Sequence, residues 1–321
     1  MHKLKQMPNA DDIEFKDKFV EHYSKLTDFP RFKKYCLSFL RRSIRVNTLK
    51  ISVSGLRKRL EKDWKLEPIP WCREGFWIEH RGEGDEYRRD IGNLTEHALG
   101  YFYIQEAVSM IPPLVLEPRP GEKALDMCSA PGSKASQIAQ YMKNKGILVA
   151  NDSAAKRLSP LKINLQRMGV TNCIITLMEG RHIKNMAFDR ILVDAPCSGT
   201  GTIRKSIKTL RMWNPNAARK MAGEQKQLIS AAFQNLNPGG TLVYSTCSLE
   251  PVEDENVVTY LLEKHPDAQL ENIRLQVKRG SVAQEFDRMK FHRNINRCLK
   301  LWPQDNDTQG FFVAKIRKDS S

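Results

Sequence analysis

From Leu99 onward the chain alternates short apolar runs with longer amphipathic stretches, a pattern that few folds accommodate. The runs Lys123–Met127, Ile147–Asn151, Cys173–Leu177, Arg190–Val193 and Thr241–Ser245 have the length and continuity of strands covered on both faces. Between them, Lys134–Lys143 and Arg157–Met168 read as helices, with Gly146, Gly169 and Gly239-Gly240 punctuating their ends. Strands and helices in strict alternation predict a parallel sheet with helices packed on both faces. At the C-terminal end, Arg297–Trp302 and Phe311–Ile316 read as an antiparallel hairpin across the polar turn Gln304–Thr308.

The preceding residues follow another rule. Up to about residue 35, Phe15, Phe19, Tyr23, Leu26, Phe29 and Phe32 recur every three to four positions among charges, which predicts one or two amphipathic helices. The basic stretch Arg41–Leu49 ends as an alternating strand. Leu56 and Leu60 with the basic residues between them read as a helix, and Leu66–Ile69 and Gly75–Ile78 as two further strands. The run Arg81-Gly82-Glu83-Gly84-Asp85 reads as a loop near a junction. A chain of 321 residues suits two domains, here an N-terminal helical and small α+β region over 1–95 and an α/β domain over 96–321.

Charge and cysteine usage narrow the function. Lys and Arg number 52 against 37 Asp and Glu, a formal net charge of +15, which favours a polyanionic partner over a merely solvated surface. No stretch approaches the roughly 20 apolar residues of a membrane span. The polar start Met1–Pro8 has no signal core, so a cytoplasmic protein is expected. The seven cysteines are scattered, without a CxxC pair or Cys/His cluster, which argues against a disulfide framework and against any metal site.

One loop points to a nucleotide-like ligand. Ala124-Leu125-Asp126-Met127-Cys128-Ser129-Ala130-Pro131-Gly132-Ser133-Lys134 runs from a strand through a tight turn into a helix, at the sheet edge where α/β proteins hold such ligands. It lacks the glycines of a phosphate loop and the GxGxxG spacing of a dinucleotide site. Its small residues and Lys134 suit the zwitterionic methionine end of S-adenosylmethionine, so Cys128, Ser129, Ala130, Pro131, Gly132, Ser133 and Lys134 are the candidate contacts. Asp152, at the end of the next strand, stands where a carboxylate accepts from ribose hydroxyls; the alternative is a cap for the helix beginning near Ala154. Glu179, after the third strand, is a candidate adenine contact.

Two later strands each end in a cysteine. Asp189–Gly201 contains Asp194-Ala195-Pro196-Cys197, and Gly239–Ser248 contains Ser245-Thr246-Cys247-Ser248. On neighbouring strands, about 5 Å apart, both thiols would reach one ligand. Alkylating C5 of cytosine needs such groups. A thiolate adds to C6, a base removes the C5 proton, and a group at N3 stabilises the developing charge. Cys247, Cys197 and Asp194 can supply these functions. Pro251 suits a first helical turn, so a helix is expected to begin at Leu249-Glu250-Pro251 and to lower the Cys247 thiol pKa through its positive end. Buried, inert cysteines are the alternative for either position taken alone.

With these segments in hand, residues 100 to 318 resemble the Nop/Sun family of RNA cytosine-5 methyltransferases. The resemblance rests on Gln105-Glu106-Ala107, Asp126–Lys134, Asp194–Gly201, Ser245–Ser248 and Gly310-Phe311-Phe312. It implies a doubly wound, mostly parallel, seven-stranded methyltransferase (Rossmann-like) sheet with a small α+β RRM-like N-terminal domain. It implies S-adenosylmethionine as cofactor, held by Cys128–Lys134, Asp152, Arg157, Glu179 and Asp194. It also implies Cys247 as nucleophile, Cys197 assisting product release and Asp194 contacting the base. The archaeal tRNA-type members are the most similar, which implies a cytoplasmic monomer acting on tRNA, with a helper protein for site choice conceivable and DNA not expected. Arg41, Arg42, Arg45 and Lys50 are the candidate phosphate contacts, and Phe76 and Trp77 are expected in the core rather than stacked on bases. The chain departs from the family at Ser129, Ser133 and Ala135 in the loop, at Glu179 where Asp is commoner, and at Gln304 where many members carry His. An rRNA substrate, a non-catalytic RNA-binding assembly factor and a DNA enzyme attacking through Cys197 are the competing readings.

Overall fold

The computed structural model describes residues 4–82 and 88–320. The loop reading at 81–85 therefore lies mostly outside the described residues. Contacts divide the chain into two compact units that interleave along the sequence. The first comprises Arg42–Asp194, Ala231–Val243 and Lys318–Ser321; the second comprises Met1–Arg41, Ala195–Ser230 and Tyr244–Arg317. This is a different division from a single cut near residue 95.

The first unit opens with strands β1 (Ser43–Val46), β2 (Trp64–Ile69), β3 (Cys72–His80) and β4 (Phe102–Ile104), an antiparallel sheet of order β2-β3-β1-β4. The helix Val53–Leu60 covers one face, capped by the Ser52 hydroxyl, which accepts from the Gly55 N–H. Leu56, Leu60, Ile44, Val46, Trp64, Phe76 and Phe102 form its core, so Phe76 is a packing residue. Trp77 is buried as well. The expected α+β unit is thus present, but its sheet is completed by β4 beyond residue 95. Three residues are too few to display a period of two, which is why this strand escaped detection in the sequence.

The same unit contains β5 (Lys123–Asp126), β6 (Ile147–Asp152), β7 (Cys173–Leu177) and β8 (Phe188–Asp194), with β9 (Leu236–Thr246) beginning here. Their order is β9-β8-β5-β6-β7, with β5 parallel to both β6 and β8 and β6 parallel to β7. Helices Ser133–Tyr141 and Ala155–Met168 connect β5 to β6 and β6 to β7. Leu125, Leu148, Ala150, Ile191 and Leu192 are fully buried, as continuous apolar strands covered on both faces require. The chain has an α/β fold with a mostly parallel central sheet.

The second unit takes over β9 at Tyr244–Thr246 and adds β10 (Ala268–Glu271), a two-residue pair β11 (Glu285–Phe286) and β12 (Met289–Lys290), β13 (Leu299–Leu301) and β14 (Phe311–Lys318). β13 and β14 pair antiparallel with Leu299 opposite Val313 and Leu301 opposite Phe311, the expected hairpin. Its turn includes a short helix, Pro303–Asn306. The helices Asp17–Ser24 and Phe29–Cys36 also belong here. Their aromatic side chains Phe19, Tyr23, Phe29 and Phe32, with Phe15 just before the first helix, form one core with Ile203, Leu210, Leu249 and Trp302. That burial is why these helices group with residues far along the chain rather than with β1 to β4. Among the described residues, no helix is long and apolar enough to cross a membrane.

Candidate active site

In the first unit, the segment after β5 turns sharply and enters the helix Ser133–Tyr141. Gly132 sits at φ 101°, a conformation that strongly favours glycine, and a Cβ there would stand 3.0 Å from Leu161. Asp152 holds this turn to the end of β6. Its Oδ2 accepts from the Ala130 N–H at 3.2 Å and its Oδ1 from the Ala154 N–H at 3.0 Å. Arg157 pairs with Asp152 at 3.3 Å and donates to the Ala130 carbonyl at 2.6 Å. Asp152 therefore ties the loop to the residue that opens the next helix, whose N-cap is Ala154 and not Asp152, while standing at the expected strand end.

Lys134 and Asp194 form an ion pair at 2.7 Å, so the loop's ammonium meets the carboxylate that ends β8. Asp126 lies near this pair. Its Oδ2 accepts from the Ser129 hydroxyl at 3.2 Å, whereas Oδ1 is buried without a hydrogen-bond partner. Burial, then the charge of Asp194, push the Asp126 carboxyl up to about 7. An orphaned acceptor and an ammonium on one strand-to-helix turn fit the ammonium and carboxylate of an amino acid moiety, so the residues present suit S-adenosylmethionine. Burial, followed by the nearby Asp126, Asp194 and Asp152, raises the Cys128 thiol far above its usual range, which leaves it protonated. Glu179 is exposed and paired with Arg181 at 2.6 Å. Asp126 is the last residue of β5, and a carboxylate at a strand's carboxyl end is the sequence signal that marks it.

Arg45 corrects a sequence expectation. It is fully buried, donating to the Ser133 carbonyl at 3.0 Å and the Ser136 hydroxyl at 2.9 Å, and burial lowers its pKa to about 10. A guanidinium enclosed in this way holds the start of the helix and presents nothing to a phosphate. Lys50 is exposed, yet its ammonium donates to the Leu99 and Arg167 carbonyls at 3.0 and 2.8 Å, closing the end of the helix Ala155–Met168. Arg42 donates to the Arg89 carbonyl.

In the second unit, the two cysteines meet: Cys197 Sγ and Cys247 Sγ are 3.2 Å apart. Backbone bonds hold their loops together. The Ala195 N–H donates to Ser245 O and the Gly201 N–H to Cys247 O, both at 2.9 Å, and the Gly310 N–H donates to Gly201 O at 2.9 Å. A Cβ on Gly201 would fall 2.3 Å from Gly310 O and 2.8 Å from Cys247 O, so only glycine permits this approach. Gly199, at φ 69°, leaves the space beside Cys247 Sγ open; a Cβ there would stand 4.0 Å from the sulfur.

The hydrogen bond with Cys247, then burial, raise the Cys197 thiol well above its usual value. The helix expected at Leu249 begins instead at Glu255, because residues 251–254 form turns in which Tyr244 Oη donates to Glu253 O at 2.6 Å. Its N-terminus is eight residues beyond Cys247, so no helix end is adjacent to that thiol in sequence. Glu250 and Glu253 are both buried, and most of their partners lie far away in the chain, so their place in the site is not legible from the sequence. Glu250 accepts from Tyr23 Oη at 2.7 Å and Trp213 Nε1 at 2.8 Å, and its Oε2 lies 2.8 Å from His22 Nε2. Gln304 is buried and donates to the Thr27 hydroxyl at 2.8 Å, a packing role. No cluster of metal-ligating side chains occurs among the described residues.

Comparison with known proteins identifies the family. Residues 113–317 match the family model described as 16S rRNA methyltransferase RsmB/F, and residues 15–107 match the N-terminal domain of 16S rRNA methyltransferase RsmF. A tRNA (cytosine(49)-C(5))-methyltransferase from Pyrococcus abyssi is 45% identical over 304 residues, spanning 94% of this chain and 96% of that protein. A ribosomal RNA small subunit methyltransferase F from Shewanella amazonensis is also 45% identical, over 90% of this chain but only 61% of its own length. The crystal structure of a methyltransferase homolog from Pyrococcus horikoshii superimposes with a TM-score of 0.82 at 37% identity, covering 97% of this chain and 99% of that one. A fold of this kind, with a turn suited to S-adenosylmethionine and two paired thiols, places the chain in the RsmB/F (Sun) family of S-adenosylmethionine-dependent RNA cytosine-5 methyltransferases.

Proposed function

We propose that this enzyme methylates C5 of a cytosine in tRNA, with Cys247 as nucleophile. The carrying observation is the thiol pair at 3.2 Å. A lone buried cysteine would be filler, but two sulfurs in contact beside an open glycine suit one reactive centre. Cys247 adds to C6 as thiolate. Cys197, whose raised pKa keeps it protonated in the free enzyme, donates a hydrogen bond to that sulfur. It assists removal of the C5 proton, and so release of the product, only after its own proton has passed to solvent, so that the thiolate accepts the proton that C5 loses. Asp194 contacts the base near N3, with Lys134 fixing its carboxylate. Cys128–Lys134, Asp152, Arg157, Glu179 and Asp194 hold the cofactor, which supplies an electrophilic methyl group when bound. The N-terminal region, residues 1–95, binds RNA, with Arg41, Arg42 and Lys50 as phosphate contacts. A base within a helix must be flipped out to reach the thiol.

The tRNA reading is supported by the Pyrococcus abyssi relative, whose whole length this chain nearly spans. An rRNA substrate is the second reading, favoured by the relatives named as small-subunit rRNA methyltransferases F. The test is covalent trapping: protein and S-adenosylmethionine are incubated with 5-fluorocytidine-containing tRNA or small-subunit rRNA. A denaturant-resistant adduct with tRNA, lost in Cys247→Ala but kept in Cys197→Ala, is expected. Loss only in Cys197→Ala reverses the two roles, and an adduct confined to rRNA replaces the substrate.

A further inference from the structure

Glu253 is fully buried, and four hydrogen bonds converge on its carboxylate. Oε2 accepts from the Ser198 N–H at 2.9 Å and from Gln225 Nε2 at 2.9 Å. Oε1 accepts from the Ser248 hydroxyl at 2.8 Å and from the Ser198 hydroxyl. Gln225 also donates to the Pro196 carbonyl at 2.8 Å. The two serines directly follow the two cysteines, and Pro196 directly precedes Cys197. All the donors therefore come from residues flanking the thiols or from Gln225, which itself holds such a residue. Burial pushes the Glu253 carboxyl up, and the Ser198, Gln225 and Ser248 bonds oppose that rise. A buried carboxylate is costly to keep unless its donors are in place, so its retention organises the loops around it.

We infer that Glu253, assisted by Gln225, is a positioning residue that clamps the Cys197 and Cys247 loops and sets the separation of the two thiols. This rests on the reading of Cys247 as nucleophile. The carboxylate touches neither sulfur; it acts by fixing the neighbours of both. Glutamine at position 253 would turn one of the two oxygens into a donor facing other donors, which loosens the clamp without a change in volume. Aspartate is too short to reach both serines.

Two measurements on the full-length protein separate positioning from simple structural support. The first is independent of activity. Diamide converts two adjacent thiols to a disulfide, taking up their two hydrogens and two electrons at its N=N bond, and the Cys197–Cys247 crosslink is followed by alkylation and mass spectrometry. The second is the rate of adduct formation with 5-fluorocytidine RNA, read beside S-adenosylmethionine affinity and melting temperature. Glu253→Gln and Gln225→Met are expected to crosslink about 10-fold more slowly and to form adduct up to about 100-fold more slowly, as misplacement of a reacting group by about 1 Å produces. Cofactor affinity stays within about twofold, since the cofactor turn is held by other residues. Folded variants with wild-type crosslinking and adduct rates overturn the inference, as does slowing that merely follows the fraction unfolded. Should wild type crosslink but form no adduct with any RNA, the nucleophile reading fails, while the crosslinking rates still decide what Glu253 does.

Discussion

Replacing Glu250 by alanine removes the acceptor that three side chains of the second unit share. Tyr23 is fully buried and Trp213 partly so, and their donors would lose their partner. Each orphaned donor costs about 1–3 kcal/mol, so the pair costs about 4 kcal/mol. For cooperative unfolding of a chain of this length, an unfolding entropy of about 2.1 cal/mol/K per residue makes that about 6 °C in melting temperature. Glu250→Gln keeps an acceptor for Tyr23 and Trp213 but loses the charge, an expected loss of about 1–2 kcal/mol. The pH dependence distinguishes charge from packing. Burial alone would raise the Glu250 carboxyl, but His22, Trp213 and Tyr23 hold it below its ordinary value. A depressed carboxyl stabilises the fold above its unfolded pKa of about 4.3, and that stabilisation disappears as pH falls through the lower folded value. Thermal denaturation of wild type and both variants from neutral to acid pH is the assay. The wild type should lead Glu250→Gln fully at neutral pH and lose that lead in acid. An alanine variant as stable as wild type, or a gap independent of pH, would refute the reasoning.

Gly201→Ala should lose at least about 1–3 kcal/mol by overpacking, because the new methyl meets the backbone oxygens of Gly310 and Cys247 rather than movable side chains. Its adduct rate should fall with stability, measured by denaturant titration beside trapping; unchanged stability would mean the loops separate freely. Arg45→Met should lower the melting temperature and weaken S-adenosylmethionine binding, while salt dependence of RNA binding stays as in wild type. Arg42→Ala should leave melting temperature and S-adenosylmethionine binding near wild type but reduce the salt slope by about one phosphate contact; identical behaviour of the two variants would remove the distinction.

How much of this was legible beforehand follows from the range of each interaction. Strands β5 to β9 and their helices were readable because backbone period and apolar content are local properties, and Cys173–Leu177 was found with both ends correct. Cys247, Cys197 and Asp194 stood out as a pair of thiols and a carboxylate at strand ends, whereas the close approach at Gly201 to Gly310 and Cys247 shows only in the fold. Arg45 was misjudged because a basic residue in a basic segment looks solvated until Ser133 and Ser136, some ninety positions later, enclose it. Glu250 and Glu253 were invisible for the same reason, and β4 because it is too short. Local sequence thus determined the elements and the cysteines and carboxylate at their ends, since these depend on neighbours along the chain. Tertiary structure alone decided which charges are buried, which carboxylate the neighbours of both cysteines bond and which helices share a core, since desolvation and hydrogen bonding depend on residues that only folding brings together.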